Sequence, residues 1–128
     1  MTDPSFGVLI VDDSGFMRRL LRKSLMRLGV DHIVEAVDGK DALDAMMEHS
    51  VDLIISDLDM PKVNGLELLR AVVGHSTLKR IPFMVLTPDI SNKMFNEAMK
   101  TGAAEFVVTP FTPEEIAAKI NSIRKKSS

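Results

Sequence analysis

Residues 53–61 read LIISDLDMP: a short apolar run and a serine lead straight into two aspartates, Asp57 and Asp59. An unalternating apolar run of this length suits a strand covered on both faces, as in a parallel sheet. A carboxylate at its end then stands at the rim of that sheet, where it needs solvent or a partner.

Outward from this stretch the chain repeats the same grammar. Further strand-like runs are GVLIV (7–11), HIVEA (32–36), FMVLT (83–87) and EFVVT (105–109), with LIIS (53–56) in the middle. Between them lie segments of helical period. In the first, Met17, Leu20, Leu21, Leu25 and Leu28 share a face while Arg18, Arg19, Arg22, Lys23 and Arg27 take the others. The spacing predicts further helices from about Lys40 to His49, Leu66 to Val73, Asn92 to Thr101 and Pro113 to Arg124. Their ends carry stop and start chemistry: Ser14 or Asp13 as an N-cap, Gly29 and Gly102 just past helix ends, and Pro113 in a first turn after Thr112. Asn64 and Gly65 read as a turn entering the third helix.

Strict β–α alternation predicts an α/β fold: a doubly wound (βα)5 arrangement whose parallel sheet carries helices on both faces through right-handed crossovers. In such folds ligands sit outside the carboxyl ends of the strands. On that rim fall Asp12 and Asp13 after the first strand, Asp57 after the third, Thr87 ending the fourth and Thr109 ending the fifth. Three carboxylates a few ångströms apart repel one another unless a cation lies between them. An oxygen-only, histidine-free set suits Mg²⁺, with Mn²⁺ as a substitute, and a bound ion would in turn attract a phosphoryl group. The plainer reading has Asp12 and Asp13 capping a helix and Asp57 opening a turn; the coincidence of three such residues favours the metal site.

Length and composition bound the rest. At 128 residues the chain has room for one domain with its own core and none for a second, so a single domain over 1–128 without an attached output domain is expected. Apolar residues at 45% and charged residues at 27% exclude the disordered and membrane classes. No apolar run approaches the roughly 20 residues of a membrane span. MTDPSFG lacks the parts of a secretory signal, and cysteine is absent, so a cytoplasmic location is expected. A net charge of −2 gives no general attraction for nucleic acid. His32, His49 and His75 show no ligand spacing and read as surface or boundary residues, while nine methionines without Tyr or Trp suggest an adaptable core.

Taken together, IVDDSGFMRR, EAVDGKDAL, IISDLDMPKVNGLELL, the Thr87 strand end and FVVTPFTPEEI resemble the response-regulator receiver domains, in particular the single-domain chemotaxis CheY-like type, over nearly the whole chain. The resemblance implies the flavodoxin/CheY-like strand order 2-1-3-4-5. It implies a two-component signalling protein rather than an enzyme with turnover. Asp57 would be the phosphoacceptor for a sensor histidine kinase, in a Mg²⁺-dependent step followed by slow autodephosphorylation. Asp12, Asp13, Asp57 and the backbone carbonyl of Asp59 would hold the ion. Thr87 would donate to the phosphoryl group, and the rotamer of Phe106 would follow. The phosphorylated form, expected to be a monomer, would bind a downstream protein such as a flagellar motor switch, with no DNA or membrane partner. Its output face would be the fourth helix, fifth strand and fifth helix, carrying Lys93, Met94, Lys100, Lys119, Arg124, Lys125 and Lys126. The basic first helix could dock a kinase.

Two positions depart from the family pattern. Thr109 stands where a lysine normally precedes the proline and bonds the phosphoryl group; Pro88 follows Thr87 where a small residue is usual. Asp59 and Asp89 add negative charge near the pocket entrance. Thr109 could merely tolerate the turn, with a cis bond to Pro110, in a stable domain whose switch is degraded; normal and weakened switching both stay open. Rival functions are a phosphorylation-independent pseudo-receiver, a haloacid-dehalogenase-type phosphatase resembled by DLDM (57–60), and a flavodoxin-like FMN binder. Met60 and the missing later lysine argue against the phosphatase, and DDSG would repel the phosphate of FMN.

Overall fold

A computed structural model describes residues 6–127, with side chains as far as residue 125. Five strands alternate with five helices in chain order: β1 (Gly7–Val11), α1 (Gly15–Arg27), β2 (His32–Ala36), α2 (Gly39–Glu48), β3 (Leu53–Asp57), α3 (Gly65–Val73), β4 (Phe83–Thr87), α4 (Lys93–Thr101), β5 (Glu105–Val108) and α5 (Pro113–Ser127). The strands form one parallel sheet of order β2-β1-β3-β4-β5, the order expected.

Period-2 alternation divides the apolar strand residues between two cores. Leu9, Val11, Ile54, Phe83 and Val85 pack on one face with α2, α3 and α4 residues such as Met46, Leu69 and Phe95. Val8, Ile10, Leu53, Ile55, Met84 and Leu86 pack on the other with Leu21 and Leu25 of α1 and Ile116 and Ile120 of α5. Both faces of β1, β3 and β4 are therefore dry, which is why these strands read as unbroken apolar runs. The edge strand β2 is only half buried and is covered by basic residues of α1. Arg18 Nε and Arg22 Nε reach the two Glu35 oxygens at 3.0 and 2.8 Å, and together they hold its carboxyl below the ordinary range, Arg22 most strongly.

Local chemistry sets the helix starts. Ser14, not Asp13, caps α1: its side chain accepts from Met17 N at 3.2 Å, which leaves Asp13 uncommitted. Asn64 and Glu67 close a capping box at α3. Gly65 is required there by close approach rather than by its φ, because a Cβ would collide with the backbone oxygen of Asp57. The same glycine donates its N–H to Leu58 O at 2.9 Å, tying the start of α3 to the loop that leaves β3.

Candidate metal centre

The order in which successive strands join the sheet reverses at β1, which has β2 on one side and β3 on the other. Val11 and Ser56 are register partners, so the next residues, Asp12 and Asp57, leave neighbouring strands at the same level. Each of Asp12, Asp13 and Asp57 offers a carboxylate oxygen, and these oxygens lie within 4.8 Å of one another, the one such group of potential ligands among the described residues. They line a depression of about 320 Å³ together with Ser14, Met17, Asp59, Leu86, Pro88 and Thr109.

The burial of the three is graded. Asp12 is 4% exposed, Asp57 half-buried and Asp13 open to solvent. Asp12 accepts from Ser14 N at 2.8 Å, and Asp57 accepts weakly from Asp59 N at 3.3 Å. Those bonds do not offset the loss of water. Desolvation, opposed by the Asp59 N–H and reinforced by the charge of Asp12, pushes Asp57 from an ordinary 3.8 up to about 6. Desolvation also raises Asp12, with Asp13 adding to it and the Ser14 bond and Arg18 opposing it.

Carboxylates displaced in this direction are stabilised by a cation among them, and the all-oxygen donor set fits a hard divalent ion of the Mg²⁺ type. The cluster could therefore hold a metal. A cation from the protein does not take that place. Arg18 Nη1 donates to the backbone oxygen of Asp12 at 2.7 Å while its Nε is turned to Glu35, and the lining contains no lysine or arginine.

The other expected positions divide. Thr87 ends β4 and is 4% exposed, yet its hydroxyl is occupied by its own loop: it donates to Asp89 O at 3.1 Å and accepts from Asp89 N at 3.2 Å. Thr109 lines the depression just past β5 and donates its N–H to Thr87 O at 2.9 Å, with the Thr109–Pro110 bond cis. Pro88 is an exposed part of the wall. Asp89 does not line the depression: the Ser91 Oγ and N–H bonds, at 2.6 and 2.9 Å, hold its carboxylate below the ordinary range and therefore charged, beside the loop after β4, whereas Asp59 is part of the wall.

Phe106 on β5 stacks edge-on against Phe95 with centroids 5.1 Å apart and lies under Lys119 Nζ, also 5.1 Å from its centroid. Lys119 is further paired with Glu105 at 2.7 Å. The basic output patch expected from sequence is thus thinner than its residue count. Lys119 is engaged, and Arg124 lies over Phe6 and donates to Leu28 O at 3.3 Å, on the α1 side of α5. Lys93 and Lys100 are exposed on α4, and the side chain of Lys126 falls outside the described residues. Sequence reasoning missed Met17 and Leu86 as walls of the depression, because both read as ordinary core positions.

Comparison with known proteins agrees with this geometry. A family model described as the response regulator receiver domain matches residues 8–121. A chemotaxis protein CheY homolog of Campylobacter jejuni is 34% identical over 117 residues, covering 91% of this chain and 90% of that one. Among solved structures, the chemotaxis protein CheY4 of Vibrio cholerae superposes with a TM-score of 0.85 at 33% identity, over 92% of this chain and 98% of that one. A signal receiver domain of a histidine kinase from Syntrophus aciditrophicus does so with a TM-score of 0.85 at 27% identity, over 92% and 89%. Strand order, the acidic rim at the switch point and these likenesses coincide: the chain belongs to the response regulator receiver domains and is CheY-like.

Proposed function

We propose that Asp57 accepts a phosphoryl group from the phosphohistidine of a sensor kinase, and that the phosphorylated protein signals by binding another protein. The observation that carries this reading is the close trio Asp12, Asp13 and Asp57 at the β1–β3 switch point, with Asp57 pushed up to about 6 by burial. In the transfer, an ionised Asp57 oxygen attacks phosphorus in line while the donor's phosphorus–nitrogen bond breaks. The imidazole leaves with its electron pair and takes up a proton, and an acyl phosphate remains on Asp57. Asp12, Asp13, Asp57 and the backbone carbonyl of Asp59 would hold a divalent ion, which would supply positive charge to offset the negative charge of the phosphoryl group. Thr87 exchanges its bonds to Asp89 for one to the phosphoryl group, which moves the loop after β4 and lets Phe106 change its packing on Phe95. Partner binding then falls on the α4–β5–α5 face.

Thr109 weakens this switch. Its hydroxyl sits close to the backbone and carries no charge, whereas a missing donor to a transferring group costs about 10²-fold or more in rate. Coupling between phosphorylation and loop movement falls as well, since one contact that differs between the two states is gone. The same wall, free of lysine and arginine, favours a second reading: an interaction module whose partner binding ignores phosphorylation.

Acetyl-phosphate labelling of the parent, Asp57→Asn and Thr109→Lys proteins, with and without Mg²⁺, tests the proposal. The parent should label slowly and only with Mg²⁺, Thr109→Lys at least about tenfold faster, and Asp57→Asn not at all. Label on Asp57→Asn would refute the acceptor assignment. Partner affinity unchanged by labelling would favour the phosphorylation-independent module.

A further inference from the structure

At the opposite end of the sheet from the acidic site, two of the three histidines meet. His32 opens β2 and His49 is the C-cap of α2, 17 residues later in the chain, and their ring centroids are 6.0 Å apart with planes tilted by 52°. Gly7 makes the meeting possible: a Cβ there would stand 2.6 Å from His32 Cδ2 and 2.5 Å from Ser50 O, so any larger residue would displace the ring. Neither imidazole is hydrogen-bonded to a described residue, so the ring nitrogens are available as ligands. The third histidine is the contrast. His75 Nδ1 is already taken by Thr77 N at 3.2 Å, Leu78 N at 3.3 Å and Thr77 Oγ1 at 3.1 Å.

We propose that His32 and His49 form a second metal site, for a borderline divalent transition ion such as Zn²⁺, Ni²⁺ or Cu²⁺. Imidazole nitrogen suits these ions, whereas the carboxylate site suits Mg²⁺ or Mn²⁺, so the two ends of the sheet select different metals. A tetrahedral ion about 2.0–2.1 Å from each nitrogen sets two ring centroids roughly 5 Å apart, so the pair needs to close by about 1 Å. His49 is exposed and its ring is free to make that adjustment. Asp52, whose carboxylate accepts from Gly7 N at 2.7 Å on the other side of the glycine, adds negative charge nearby. No third protein ligand lies within reach among the described residues, so water completes the shell. Bridging β2 to the end of α2 by such an ion clamps the half-buried edge strand to its neighbour helix.

The experiment is titration of the parent, His49→Gln, His32→Gln and His75→Gln proteins with Zn²⁺ in excess Mg²⁺, read by calorimetry and by the ¹⁵N imidazole resonances. Excess Mg²⁺ competes at the acidic site, and the four proteins differ only at histidines away from it, so a difference among them reports on the histidine pair. One Zn²⁺ site of moderate affinity, as two imidazoles and water allow, is expected, with the His32 and His49 nitrogens shifting together. His49→Gln should weaken it by at least about tenfold, since losing even an outer support of a ligand costs about that much, and His75→Gln should leave it unchanged. His49 is a surface residue, so the result stands even if His32→Gln perturbs the fold. Zn²⁺ affinity unaltered by His49→Gln, or shifts confined to one imidazole, overturns the proposal.

Discussion

Asp57 is the residue on which charge and stability meet. Folded, it titrates at about 6; its ordinary value is 3.8. Between those values the folded state binds more protons than the unfolded one, so stability declines as pH rises through that window and levels off above it. Moving a titration midpoint by one on the pH scale is worth roughly 1.4 kcal/mol, and solvent screening at this half-buried group reduces the effect to on the order of 1–3 kcal/mol. Desolvation raises Asp12 in the same direction, so its contribution to the pH dependence has the same sign. Asp57→Asn removes the larger part of this cost. Urea unfolding should show the variant more stable than the parent by about 1–3 kcal/mol at pH 7–8 and level with it near pH 4. A variant that is less stable than the parent at pH 8 would show that the carboxylate is not held against its preference. The identity of Asp57 as a candidate was plain in LIISDLDMP, since an apolar strand ending in Asp announces a rim carboxylate. Its raised pKa was not, because that depends on how far β1 and β3 bury it.

Among the elements, α3 packs against the site through its first residue. Gly65 lies so close to the backbone of Asp57 that a methyl group cannot enter without moving one of them. Gly65→Ala should therefore lower stability by about 1–3 kcal/mol, as overpacking does, and slow Asp57 labelling as well. A substitution on the exposed side of the same helix, Ala71→Gly, should lower stability without the labelling defect beyond its effect on folding. Equal labelling rates in the two folded variants would disconnect α3 from the site. The loop after β4 works in the opposite sense. The hydroxyl of buried Thr87 makes both of its bonds to Asp89, an arrangement that can be exchanged for a new acceptor without unfolding a strand. Helix periodicity located α3 and α4 to within two residues, and the caps at Ser14 and Asn64 follow from the side-chain oxygens that satisfy orphan N–H groups. The commitment of Lys119 to Glu105 and Phe106, and of Arg124 to the α1 side, could not be read from helix spacing, because it depends on which strand and which loop each helix face meets.

For the whole molecule, a divalent ion held at the acidic rim would need β1 and β3 brought side by side, so its binding would stabilise the folded chain by mass action. Saturating Mg²⁺ at about 100 times its dissociation constant should add roughly 2.7 kcal/mol, seen as a higher melting temperature in the parent. The gain should shrink markedly in Asp12→Asn. A melting temperature indifferent to Mg²⁺ would argue against the metal site. By itself the sequence determined the alternation of strands and helices, the parallel sheet and the presence of Asp12, Asp13, Asp57, Thr87 and Thr109 on one rim, because burial on both faces and helical period are local patterns that side-chain chemistry writes directly into the chain. Strand order came from the resemblance rather than from the pattern. The tertiary structure alone decided which distant residues touch: Glu35 with two arginines of α1, Phe106 against Phe95, and His32 beside His49 over a glycine of β1. Those meetings depend on register and crossover geometry, and a separation of 17 residues carries no mark in the sequence of whether its ends will be neighbours.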